Sequence, residues 1–209
     1  MAKETKVEPN AYLVSFMEHS PYSMWISDEN GTLIQLNQAC RDLFHIQDDE
    51  VVGKYNIFRD EVVKAKGLQP IIKKVFESGE TARFCFEYDT SRLEGLDLKE
   101  RVSLFLDVTI IPVFDGRGRV TQAIAHNIDI TQSKRAEELI RESENKYRSI
   151  FETTGTATLI LEEDTTISLA NGEFEKLSGY SREELEGKKS WTDFVVKDDL
   201  QKMKEYHYA

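Results

Sequence analysis

Few side chains in this 209-residue chain could bind a metal or attack a substrate. Four histidines, His19, His45, His126 and His207, and two cysteines, Cys40 and Cys85, stand apart from one another. A metal site draws on His, Cys and carboxylate side chains at short, recurring spacings, and no such pattern joins these six. Gly116 and Gly118 make half of a dinucleotide-binding glycine loop, without its third glycine, and the "DGRG" around them predicts a hairpin turn. Phosphate-binding loops, nucleophile elbows and paired carboxylates in a catalytic context are missing too. The residues therefore predict binding or transmission rather than catalysis. Any kinase or other output activity is expected outside this chain.

Composition narrows the class further. Hydrophobic residues make up 40% and charged residues 31%, ordinary values for a globular protein. The net charge of −11 opposes a DNA or RNA backbone, so no nucleic-acid partner is expected. Apolar runs are only a few residues long, against the ~20 needed to span a bilayer. The opening "MAKETKVEPN" is polar and lacks the apolar centre of a signal peptide. Two cysteines make no disulfide framework, and a reducing, cytoplasmic compartment is the simplest reading.

The elements that must position these residues occur twice. "FMEHSPYSMWISDENGTLIQLNQACRDLFHIQDDEVVGK" resembles "FETTGTATLILEEDTTISLANGEFEKLSGYSREELEGKK". Phe16 aligns with Phe151, a shift of 135, whereas Asn37 aligns with Asn171 and Gly53 with Gly187, shifts of 134. The one-residue slip is expected in the turn, where "SDENGT" meets "EEDTT". The first copy predicts a leading helix over 10–19 with Leu13, Phe16 and Met17 on one side, then a hairpin of "YSMWIS" and "TLIQL" about "DENG". Asn37 predicts a helix N-cap, as does Asn171 in the second copy, and Asp48 a second short helix. Residues 60–77 predict a longer helix disturbed by Gly67 and Pro70. Three strands follow: "TARFCFEY", "RVSLFLDVTI" and "VTQAIAHNIDI". The second copy runs only from Phe151 to the end of the sequence and is expected to lack its last three strands.

This order of elements, with "DENGTLIQLN", "LSGYSREELEGK" and the Asp129-Ile130-Thr131 that leads into a helix, resembles the PAS/PAC sensor family. The resemblance implies an α+β fold, a five-stranded antiparallel sheet in the order 2-1-5-4-3 with helices cupped over one face. It also implies a sensory role, commonly in sensor histidine kinases of two-component systems. The organisation expected is a tail over 1–9, a complete first domain over 10–131, a linker helix over 132–150 and the front half of a second domain over 151–209. Family members hold ligands, haem or flavin, or only pair with other domains. A haem ligand would have to be His45 or His126. "KYNIFRDE" lacks the cysteine of covalent flavin photoreceptors, which leaves a non-covalent flavin open. No cofactor is required by the sequence.

A small-molecule pocket is expected between sheet and helices, lined by Cys40, Leu43, Ile57, Ile71, Ile72, Phe84, Phe86, Leu104 and Leu106. Ala123, Ala125 and Asn127 share one face of the last strand, two small side chains beside one donor and acceptor. A filled core with Asn127 bonded to backbone is the alternative. Trp25 and Phe105 are expected on the opposite strand faces. Asp129, Ile130 and Thr131 would transmit a change into the linker. There Ala136, Ile140, Ser143, Tyr147 and Ile150 are spaced as a heptad seam for a homodimer, with the sheet face as the other dimer surface; a spacer packed on its own sheet is the alternative.

Overall fold

The computed structural model describes residues 15–207, so Leu13 of the expected leading helix lies outside the described residues. Residues 15–18 are helical; Met17 is buried and Phe16 is exposed. The chain divides after Ala136 into two compact units.

Alternating apolar side chains build the first unit's sheet. β1 (Ser23–Asp28) and β2 (Leu33–Leu36) form the expected hairpin. β3 (Ala82–Asp89), β4 (Ser103–Phe114) and β5 (Val120–Asp129) follow the helices, and the strand order is β2-β1-β5-β4-β3, antiparallel throughout. One face buries Leu36, Leu106, Val108 and Ile110 against Ile72 and Val75 of the helical layer. Each such side chain contributes about 1.5–3 kcal/mol of apolar burial.

Four short helices cover that face: α1 (Gln38–Phe44), α2 (Asp48–Val51), α3 (Glu61–Ala65) and α4 (Gln69–Glu77). The longer helix expected over 60–77 is two. Gly67 takes φ +70 between them, and Pro70 falls in the first turn of α4, where its missing N–H breaks no helical bond. Asp48 is the first residue of α2 rather than its cap. Gln47 and Glu50 form the capping box there, which frees Asp48 to pair with Arg41 at 2.7 Å.

Helix α5 (Thr131–Thr153) ends in the second unit, three residues beyond the expected linker. That unit contains β6 (Leu159–Leu161) and β7 (Ile167–Ala170) as a two-stranded antiparallel sheet. Helices α6 (Gly172–Ser178), α7 (Arg182–Leu185) and α8 (Lys197–His207) complete it. Its core is Ile167, Ala170, Phe174, Leu185 and Trp191.

Hydrogen bonds set the alignment of the two copies, and they correct the sequence reading. Asn37 Nδ2 donates to the carbonyls of Met17 and Tyr22, and its Oδ1 accepts from the amides of Met24 and Cys40. Asn171 does the same with Phe151, Thr156, Thr158 and Phe174. Every partner is shifted by 134, so Phe151 corresponds to Met17, not Phe16, and the turn contains no slip. Asp28 N donates to Thr32 O in one turn and Glu162 N to Thr166 O in the other.

The turns differ in one respect. Gly31 sits at φ +78, and a Cβ there would lie 2.7 Å from the Phe58 ring. Its counterpart Thr165 holds φ +79 with a β-branched side chain, a conformation that costs of order 1–3 kcal/mol. Thr192 stands in the place of Phe58, and Thr165 Oγ1 lies 2.8 Å from Ser190 Oγ. Thr165→Gly is expected to stabilise the second unit by about 1 kcal/mol, whereas Gly31→Thr destabilises the first by more. Urea midpoints of the full chain read both changes; a lower midpoint for Thr165→Gly would contradict the strain.

Candidate functional site

The inner face of the five-stranded sheet and its helical cover enclose a cavity of about 70 Å³. Seven of the expected side chains line it: Cys40, Ile57, Ile72, Phe84, Phe86, Leu106 and Asn127. Ile71 does not, being 43% exposed: on α4 one residue is a rotation of about 100°, and Ile72 takes the inward position. Leu43 and Leu104 are half-buried against the core and stop short of the cavity. Ala123 and Ala125 are buried, but the room beside Ala125 faces Trp25, its cross-strand partner. Trp25 itself lines the cavity, which corrects its expected placement on the other face.

The sequence reading missed much of the wall. Phe44, Tyr55 and Tyr88 belong to it, as do Leu93, Leu96 and Leu98 of the segment between β3 and β4. Those leucines follow neither a helical nor a strand period, so patterning carries no signal for them. Glu50 pins that segment: its carboxylate accepts from Lys99 N at 2.9 Å and Gln47 N at 2.6 Å, and these two amides hold it below the usual carboxylate range.

Polar atoms are few and mostly engaged. Tyr55 and Tyr88 donate their hydroxyls to Asp60 Oδ2 at 2.8 and 2.7 Å, while Asp60 Oδ1 caps α3 by accepting from Val62 N and Val63 N. Burial, reinforced by charge interactions that include Asp60, drives both phenols well above their ordinary range. Asn127 is 4% exposed; its Nδ2 donates to Ser23 Oγ at 3.3 Å, and its Oδ1 accepts no hydrogen bond from the described residues. An acceptor on the wall of an apolar cavity is a point of attachment for a donor.

Neither haem nor flavin matches this cavity. His45 faces outward and pairs with Glu100 at 2.7 Å, and His126 packs edge-on against Tyr22, so neither lines the wall to ligate a haem iron. A cavity of about 70 Å³ has no room for a ring system of the size of a porphyrin or isoalloxazine. Among the described residues no group of three His, Cys, Asp or Glu is placed to hold a metal, and no helix is long and apolar enough to cross a membrane.

The cavity adjoins the start of α5. Ile130 N donates to Phe105 O, Phe105 N donates to Thr131 Oγ1, and Thr131 N donates to Asp129 Oδ1, each at 2.8 Å. Thr131 is the first helical residue, and its hydroxyl serves β4. Ile130 holds the cap position, accepting from Lys134 N. Leu106, next to Phe105, lines the cavity, and so does Asn127, two residues before Asp129.

At the other end of α5, Glu152 binds Arg182 at 2.6 Å, and Arg182 also binds Glu175 at 3.2 Å. The matching positions in the first unit are Glu18, Arg41 and Asp48, joined through Arg41. The arginine has moved from the second position of the triad to the third, a charge exchange visible in the sequence once the copies are aligned without a slip. The seam residues Ala136, Ile140, Ser143, Tyr147 and Ile150 are all exposed, Tyr147 by 71%.

A sequence model described as PAS fold matches residues 17–135, and a second with the same description matches residues 145–207. A comparison with curated proteins finds no match. Among solved structures, the PAS domain of a protein from Colwellia psychrerythraea is similar at 11% identity and a TM-score of 0.49, covering 60% of this chain and 99% of that one. The PAS domain of BvgS from Bordetella pertussis is similar at 19% identity and a TM-score of 0.45, covering 67% and 97%. A sensory box sensor histidine kinase from Vibrio cholerae follows at 13% identity and a TM-score of 0.39, covering 58% and 91%.

Burial pushes the Cys40 thiol up to about 11 from 9.0, whereas Cys85 is exposed. Iodoacetamide at pH 8 should therefore label Cys85 alone in the native chain, read by peptide mass spectrometry. A raised thiol pKa favours the folded state only while the proton is held. That contribution is complete below pH 9 and is lost as the pH rises through about 11, so Cys40→Ala should flatten the fall in melting temperature across that window. Labelling of Cys40 at pH 8 without unfolding would show an open cavity instead.

Proposed function

Because the chain belongs to the PAS fold family, we propose that it is the sensory part of a cytoplasmic signal-transduction protein. In this reading the first unit takes a small molecule into its cavity, and the change passes through β4 and β5 to helix α5. The parent is a sensor histidine kinase or a similar regulator, whose output activity lies outside these residues.

One observation carries the reading. The hydrogen bonds that fix the start of α5 are made by Phe105, next to cavity-lining Leu106 on β4, and by Asp129, two residues beyond cavity-lining Asn127 on β5. Displacing Leu106 or Asn127 moves strand backbone that also holds Thr131. No glycine or proline intervenes between Asn127 and the helix to absorb the movement. The bias on α5 equals RT ln of the ligand's affinity ratio for the two strand arrangements, and no more.

Helix α5 then acts through its seam. Exposed Ile140, Tyr147 and Ile150 lie at heptad spacing, and a parallel pair of helices would bury them. Ser143 within the seam keeps the pairing weak enough for a bias of a few kcal/mol to shift it. A scaffold that dimerises without a ligand uses the same seam and is the second reading.

Filling the cavity by Val63→Leu, remote from the joint, mimics an occupant. It should change hydrogen exchange several-fold in the first turns of α5, and four glycines inserted after Thr131 should abolish that response. A response that survives the insertion rules out this route. For the seam, Ile140→Asp should convert a dimer to a monomer in sedimentation at micromolar concentration; a chain already monomeric there refutes the pairing.

A further inference from the structure

Six aromatic side chains line the cavity: Trp25, Phe44, Tyr55, Phe84, Phe86 and Tyr88. They form a connected wall. Phe84 meets Phe86 at 5.6 Å between ring centroids, Phe86 meets Tyr88 at 5.5 Å, and Tyr88 meets Phe44 at 5.9 Å. Trp25 meets Tyr55 edge-on at 5.7 Å, and Asp60 joins the two groups by accepting both tyrosine hydroxyls.

Asp60 is 3% exposed, and all four of its hydrogen bonds are donated to it. Four donors and no acceptor match an ionised carboxylate. Buried charges in proteins are ordinarily paired with a counter-charge. Among the described residues Asp60 makes no ion pair, and the cavity wall contains no Lys, Arg or His. The first unit thus places behind these rings a carboxylate that is held by helix N–H groups and hydroxyls and that no cationic side chain pairs.

We propose that the cavity takes a small alkyl-substituted ammonium cation, of the size of trimethylammonium or tetramethylammonium. The inference rests on the sensory reading above and names its ligand class. Aromatic faces attract alkylammonium ions without stripping a tight hydration shell, and the Asp60 carboxylate adds long-range attraction. The same field repels anions. A cavity of about 70 Å³ limits the occupant to a few heavy atoms. A tertiary ammonium has one N–H, for which Asn127 Oδ1 is an acceptor on the wall. Phe84 and Phe86 are the half-buried members of this wall on β3.

Titration calorimetry of the full chain compares tetramethylammonium chloride and trimethylammonium chloride with tert-butanol, a neutral molecule of similar shape, at matched sodium chloride. Both ammonium ions should bind at least about tenfold more tightly than tert-butanol, and Trp25 fluorescence should follow their binding. Asp60→Asn retains an oxygen to cap α3 and should bring that ratio toward one. Should that variant fail to fold, Phe44→Leu, which removes one ring of the wall, should lower the ratio several-fold. Binding of tert-butanol as tight as either cation overturns the ammonium assignment and leaves the cavity a ligand site for neutral molecules. Absence of binding by the ions, by tert-butanol and by xenon overturns the ligand-binding reading itself.

Discussion

The amide of Asn37 is the constraint on which the first unit is assembled. It is fully buried, and its two ends join the leading segment, β1 and the first turn of α1. The Nδ2 group closes off the carbonyls of the leading segment at Met17 and Tyr22; the Oδ1 atom holds β1 at Met24 and the first turn of α1 at Cys40. A net hydrogen bond contributes about 1 kcal/mol, but stranding these buried groups would cost about 1–3 kcal/mol each. The strand, the helix and the lead-in are therefore locked in register before any core side chain is chosen. Asn171 repeats the arrangement in the second unit, where the lead-in is the last turn of α5 itself. A helix that leaves one unit is thus the element from which the next is built.

The charged side chains around these amides are less constrained, and they show it. Glu18, Arg41 and Asp48 in one unit become Glu152, Glu175 and Arg182 in the other, with the arginine always between two carboxylates. Exposed pairs of this kind contribute about 0–1 kcal/mol, so the sign pattern can be exchanged at little cost provided the bridge is kept. The turn tells a different story. Gly31 leaves room for Phe58, whereas Thr165, whose hydroxyl meets Ser190, carries backbone strain.

Much of this was legible in the sequence. Strand alternation placed all five strands of the first sheet, and the resemblance to PAS domains supplied their order. What failed was local. One-residue registers on helices cannot be read from composition, which is why Ile71 is expected inward beside Ile72 although only Ile72 reaches the cavity. The supposed slip arose because Phe16 and Phe151 share a residue type while Met17 and Phe151 share a structural role. Trp25 was misplaced because every position of β1 is at least partly buried, so alternation there is shallow. Asp60 gave no signal at all. A carboxylate before a helix reads as an ordinary cap, and only the fold brings two tyrosine hydroxyls to its second oxygen.

The joint at Thr131 ties the first unit's sheet to the start of α5. Side chains alternate along β4, so Leu106 faces the cavity while Phe105 faces away, and no cavity side chain of β4 needs to touch the helix. The tie between β4 and α5 is one of backbone, since Phe105 uses both its N–H and its C=O to hold the joint. Hydrogen bonds weaken steeply with distance and misalignment, and a 2.8 Å bond to a buried hydroxyl has little slack. A shift of a few tenths of an ångström in β4 must move the first turn of α5 with it or break the joint. The aromatic cage around Asp60 packs on the same inner face, against Leu106 and Val108. In the proposed reading, an occupant that drew those rings together would act on the strand that holds the helix.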